Sequence, residues 1–178
     1  MRTLVLGGIR SGKSRWAEAA IAESLTADQP VHYLATGQAV DADPAWWQRI
    51  AEHRGRRPPH WSTSETDNIA QQLRRSPHTP TLVDDIGGWL TATLDRCQAW
   101  EGGSVAADID DLLAAVVEFS SPLVLVSPEV GLTVVAATES ARRFTDELGT
   151  LNQRLALLCD RVVLVVAGHP LPIKLPRN

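Results

Sequence analysis

Short apolar runs recur along this chain, separated by longer stretches in which apolar and polar positions alternate at helical spacing. The β-prone run Thr3-Leu4-Val5-Leu6 comes first, and the helix formers from Ser14 to Ala22 then place Ala17, Ala20 and Ile21 on one side. Val31 to Thr36 reads as a second strand. Pro44 to Arg54 reads as a helix, with Asp43 as its cap and Pro44 at the first helical position, where a missing N–H costs nothing. Thr79 to Asp84 predicts a third strand, and the six residues before its core, Arg75 to Pro80, the least ordered surface connection. A helix over Val105 to Phe119 leads into the strand Pro122 to Ser127, and another over Ser140 to Cys159 leads into the strand Arg161 to Ala167. The tail from Gly168 to Leu175 turns back as a short antiparallel edge strand, a place where Pro170 and Pro172 are tolerated. Strand runs alternating with helices predict a doubly wound α/β fold, a mostly parallel central sheet flanked by helices. A chain of 178 residues supplies one core of this kind, so a single domain over 1–178 is expected.

Between the first strand and the first helix stands Gly7-Gly8-Ile9-Arg10-Ser11-Gly12-Lys13-Ser14, a full match to G-x-x-x-x-G-K-[ST]. In such a loop the backbone amides surround a phosphate at the helix N-terminus, which itself favours negative charge. Lys13 is placed to reach the β- and γ-phosphates, and the Ser14 hydroxyl to be one ligand of Mg²⁺. A glycine-rich turn with an incidental Lys-Ser is the plainer reading, but the strand–loop–helix context predicts a nucleoside triphosphate site in a P-loop NTPase-like α/β fold. Asp84, at the end of an apolar run, is the expected carboxylate partner of the Mg²⁺. Asp85 reads either as a catalytic acid or as a helix cap before Ile86. Glu129 follows another strand at the carboxyl edge of the sheet, where ligands collect, and reads equally as a solvated loop acid.

The charge of −4 argues against a general nucleic-acid or anionic-membrane binder, so phosphate recognition has to be local. The apolar start is consumed by the first strand and is too short for a signal peptide or a membrane span, from which a cytoplasmic location is expected. Cys97 and Cys159 lack partners at metal-site spacing and read as packing residues. The most unusual chemistry lies between Ala45 and Pro58, where helical spacing brings Arg49 near His53 and one more turn would add Arg56 and Arg57. Clustered guanidinium groups hold phosphate oxygens and keep a neighbouring imidazole neutral, hence nucleophilic. From the residues alone His53 reads either as that nucleophile or as a solvated helix residue.

At this point the chain resembles the bifunctional adenosylcobinamide kinase/adenosylcobinamide-phosphate guanylyltransferases of cobalamin biosynthesis. The resemblance spans nearly the whole length. It rests on the P-loop, Tyr33-Leu34-Ala35-Thr36, Arg49-Ile50-x-x-His53-Arg54, Arg57-Pro58, and His60-Trp61-x-Thr63-x-Glu65. Further along it rests on Leu82-Val83-Asp84, Trp89-Leu90-Thr91, Glu129-Val130-Gly131, Arg142-x-Phe144-x-Asp146, Gly149-x-Leu151-Asn152-Gln153 and Ala167-Gly168-x-Pro170. The resemblance implies that ATP or GTP phosphorylates adenosylcobinamide, with Lys13, Ser14 and Mg²⁺ at the transferred group. It then implies that His53 takes GMP from GTP and passes it to adenosylcobinamide-phosphate. Catalytic roles thus fall on His53 and Lys13. Nucleotide contacts fall on residues Gly7 to Ser14, Arg49, Arg54, Arg57, Glu65 and Asp84, and the metal on Ser14 and Asp84. A homotrimer is implied as well. The chain departs from the family pattern at Asp85-Ile86-Gly87-Gly88, at Ala92, at Pro128 in place of an asparagine, and at Ala136 in place of a proline. A P-loop kinase of another small hydroxylated metabolite and a nucleotide-dependent switch are the alternative readings; covalent nucleotide on His53 separates the first reading from both.

Overall fold

The alternation within each buried run becomes the two faces of one sheet. In β1 (Arg2–Gly7) Leu4 packs with one core cluster and Val5 with the other, and the same split divides Leu34 from Tyr33 in β2 (His32–Ala35) and Val83 from Leu82 in β4 (Thr81–Asp84). The computed structural model describes residues 1–36, 57–132 and 137–176. Among these, β3 (Ser62–Glu65), β5 (Leu123–Pro128), β6 (Arg161–Val166) and β7 (His169–Lys174) complete a seven-stranded sheet in the order β3-β2-β4-β5-β1-β6-β7. All described pairings are parallel except β6 with β7, the expected antiparallel edge.

One face is covered by α1 (Lys13–Glu23) through Ala17 and Ile21. The other is covered by α2 (Ile69–Arg75), α3 (Ile86–Arg96), α4 (Ala106–Glu118) and α5 (Glu139–Leu158), which enclose the larger core around Leu73, Leu90, Leu112, Leu123 and Leu151. Because α1 leaves β1 toward one face and α5 follows β5 on the other, the loops after these adjacent strands diverge and open a crevice at their carboxyl ends.

The predicted strands and helices that fall within the described residues recur to within a residue or two, β4 beginning at Thr81 instead of Thr79. The stretch Arg75 to Pro80 is held where it was expected to be loose: Ser120 donates from its backbone N and from Oγ to the Pro77 carbonyl, at 3.3 and 2.9 Å. Among the described residues four elements are additional to the sequence reading, namely β3, α2, α3 and a short 3-10 helix over Ala99–Glu101. The expected helix over 44–54 lies outside the described residues. Both cysteines are free, and Cys159 is a core residue whose thiol is pushed up to about 12 by burial and then by Asp160.

Candidate functional site

Gly12 caps α1 at φ 93°, and it offers no side chain to the first helical turn, whose N–H groups are left facing the loop. A β-carbon there would sit 3.2 Å from Gly168 Cα, in a backbone region that side chains disfavour. The loop is braced from two sides: Gly168 N–H donates to the Ser11 carbonyl at 2.8 Å, and Glu129 N–H donates to the Gly7 carbonyl at 3.1 Å. Lys13 folds back over it, Nζ lying 3.5 Å from the Gly8 carbonyl oxygen. Amides, a helix N-terminus and an ammonium thus gather at one loop, the requirement for gripping a polyphosphate.

The next residue, Ser14, donates through Oγ to Asp84 Oδ1 at 3.2 Å. A hydroxyl and a carboxylate beside a phosphate cradle form a hard oxygen donor set that fits Mg²⁺, which takes one or two protein oxygens and fills its shell with phosphate and water. The other carboxylate oxygen, Oδ2, accepts a 2.5 Å hydrogen bond from the hydroxyl of Tyr33, whose ring is buried. Burial and then the Asp84 charge push this phenol well above its ordinary range, so it stays a donor. The Arg57 guanidinium carbon stands 3.3 Å from the Tyr33 ring centroid. Its Nη1 donates to Thr63 Oγ1 at 3.0 Å, and its Nε faces Glu18 Oε1 at 3.9 Å.

Asp85 points elsewhere. Its Oδ1 accepts from Gly88 N–H at 2.7 Å and caps α3, while its backbone exchanges hydrogen bonds with the Thr36 hydroxyl at the end of β2. Burial, and then Asp84, push its carboxyl above the ordinary carboxylate range. At the neighbouring strand end, Asn152 of α5 accepts from Ser127 Oγ at 2.6 Å and donates to the Pro128 carbonyl at 3.0 Å, fixing the turn that carries Glu129. Glu129 Oε1 itself accepts from Gly131 N–H at 2.7 Å.

Comparison with known proteins places this geometry. The family model for cobinamide kinase / cobinamide phosphate guanyltransferase matches residues 3–173. The chain belongs to this family. It is 45% identical over 179 residues to the bifunctional adenosylcobalamin biosynthesis protein CobP of Pseudomonas aeruginosa, covering 98% of each. It is 37% identical over 187 residues to the bifunctional adenosylcobalamin biosynthesis protein CobU of Salmonella typhimurium, covering 98% of this chain and all of that one. Among solved structures, the P4 protein from bacteriophage phi6 in complex with ADP superposes with a TM-score of 0.43 at 15% identity, over 95% of this chain and 52% of that one. As a member of the cobinamide kinase / cobinamide phosphate guanyltransferase family, the chain is an enzyme that uses nucleotides and cobinamide-related substrates.

Within this family member the sequence-predicted residues fall into three groups. Residues Gly7 to Ser14 and Asp84 come together at the carboxyl ends of β1 and β4. Glu65 ends β3 on the same sheet edge, level with Ala35 and two strands from Asp84, and Arg57 is folded onto Tyr33 between β2 and α1. His53, Arg49 and Arg54 lie outside the described residues. Tyr33, Glu18 and Asn152 were not singled out as site residues. For Tyr33 a signal existed, since same-face alternation puts it two residues below the level of Asp84 on the adjacent strand. Among the described residues no helix is long and apolar enough to cross a membrane.

Proposed function

We propose that this chain is one domain, residues 1–178, that phosphorylates adenosylcobinamide with ATP or GTP and then guanylylates adenosylcobinamide-phosphate through His53. The reading is carried by the Ser14–Asp84 contact beneath the phosphate loop, in a chain whose family match runs from residue 3 to residue 173. In the first reaction the loop amides and Lys13 hold the nucleotide's β- and γ-phosphates and stabilise charge on the transferred group, a catalysis of position and electrostatics. The substrate hydroxyl attacks the γ-phosphorus, and ADP or GDP leaves. Ser14 and Asp84 would hold Mg²⁺, which would neutralise negative charge on the nucleotide's phosphates.

In the second reaction a neutral His53 imidazole nitrogen attacks the α-phosphorus of GTP, pyrophosphate departs toward Lys13, and GMP remains as a phosphoramidate. A phosphate oxygen of adenosylcobinamide-phosphate then attacks that phosphorus, His53 leaves, and adenosylcobinamide-GDP is released. Arg49, Arg54 and Arg57 are assigned to phosphate contacts around His53, and Glu65 to the nucleotide. The enzyme works as a homotrimer in the cytoplasm.

The test is incubation of wild-type protein and His53→Ala with Mg²⁺ and GTP labelled at the α-phosphorus. Acid-labile, alkali-stable label on the wild type alone is the expected result. A folded wild type that binds GTP yet carries no label overturns the histidine route and leaves a kinase or a nucleotide-dependent switch.

A further inference from the structure

Asp84 is the acid that β4 brings to Ser14, but nothing on β4 itself decides how its carboxylate is turned. That is settled from the neighbouring strand. In the parallel register His32 to Ala35 lies beside Thr81 to Asp84, so Tyr33 pairs with Leu82, two residues before Asp84 and on the same face of the sheet. Two strand residues rise about 6.6 Å, a distance a tyrosine side chain spans. The phenol therefore runs along the sheet and ends at Asp84 Oδ2, at 2.5 Å, leaving Oδ1 directed at Ser14.

The ring cannot swing away. Tyr33 is 1% exposed, and the Arg57 guanidinium is in close contact over its ring, with that side chain only 8% exposed. Arg57 is anchored in turn by Thr63 of β3 and by Glu18, which stands one helical turn beyond Ser14 on α1. The contacts close a circuit: Ser14, Asp84, Tyr33, Arg57 and Glu18, returning to the helix that begins the phosphate loop.

We propose that Tyr33 is a positioning residue for the metal–nucleotide complex: its hydroxyl, held in place beneath Arg57, fixes the Asp84 carboxylate so that Oδ1 is presented with Ser14 to the cation. This rests on the Ser14–Asp84 reading of the preceding section. Groups that orient a metal's carboxylate ligand typically change metal affinity tenfold to a hundredfold when removed. A residue that merely fills the core would not act on the metal selectively.

Tyr33→Phe removes the hydroxyl and keeps the ring and its stack with Arg57. Two quantities are measured on wild type and variant: Mn²⁺ affinity in the presence of a non-hydrolysable GTP analogue, by electron paramagnetic resonance, and affinity for the same analogue in EDTA. The variant is expected to lose about tenfold in Mn²⁺ affinity, while metal-free nucleotide binding stays within about twofold. Unchanged Mn²⁺ affinity overturns the proposal, and so does an equal loss in EDTA, which would make Tyr33 a support of the loop as a whole. If the wild type binds Mn²⁺ no better with the analogue than without it, the Ser14–Asp84 metal reading itself fails, and the role of Tyr33 falls with it.

Discussion

Two consecutive carboxyls end β4, and their surroundings give them different work. Asp84 receives two hydroxyl donors, Ser14 and Tyr33. Asp85 receives the Gly88 amide but is half-buried beside the Asp84 charge, and its ionised form is disfavoured. A carboxyl whose folded pKa is raised contributes stability that is fully present below its unfolded value, near 3.8, and lost as the pH rises through the folded value. Asp85→Asn keeps an oxygen acceptor for Gly88 and never ionises. It is expected to be more stable than wild type at pH 7, with the advantage vanishing below pH 3.8, as urea unfolding at several pH values will register. At this scale the sequence was readable where chemistry is local: the phosphate loop is contiguous, and Asp84 terminates an apolar run. The stack of Arg57 on Tyr33 was not, because it joins residues 24 positions apart, a separation that no local spacing rule reaches.

Helix α3 shows how a sequence departure reads once its neighbours are known. Its first turn carries Gly87 and Gly88, weak helix formers that hid the element, and its two threonines donate back to carbonyls one turn earlier. A β-carbon on Gly87 would lie 2.7 Å from Pro128 Cγ. The departures at Gly87 and Pro128 are therefore one packed contact between α3 and the end of β5, the proline ring filling space that a side chain at 87 would claim. Gly87→Ala, ordinarily a gain of about 1 kcal/mol in a helix, is expected here to cost about 1–3 kcal/mol by overpacking. Adding Pro128→Ala should recover at least about 1 kcal/mol of it, the non-additivity expected of residues in contact. Denaturant unfolding of the four proteins measures this coupling. The other elements absent from the sequence reading have equally plain causes. Strand β3, Ser62–Glu65, contains no apolar residue and joins the sheet by pairing with β2. Helix α2, Ile69–Arg75, is only seven residues long, and its cap is Asn68, which accepts from Gln71 N–H.

For the whole molecule, one edge of the sheet is tied down by a side chain as well as by its pairing with β6. Lys174, at the end of β7, donates to the carbonyls of Ala156, Leu157 and Cys159 at 2.9, 3.4 and 2.5 Å, tying the last strand to the C-terminus of α5. Cationic donors at a helix C-terminus satisfy orphan carbonyls and oppose the helix dipole. Lys174→Met is expected to cost about 1–2 kcal/mol and to speed amide exchange across residues 169–174 more than in β1 or β5, which hydrogen-exchange mass spectrometry resolves.

The position of β1 carries a consequence for how the protein is made. It precedes the other described strands in the chain, yet it lies between β5 and β6, pairing Arg2 with Leu123 and Thr3 with Arg161. The phosphate loop that follows it waits for Gly168, whose amide braces Ser11. Strand β1 is therefore synthesised well before the partners that assemble around it, a topology of distant pairings. A nascent chain halted before residue 168 lacks the brace on Ser11 and keeps only the Glu129 contact with Gly7, so nucleotide stabilises molecules that contain Gly168 more than shorter fragments.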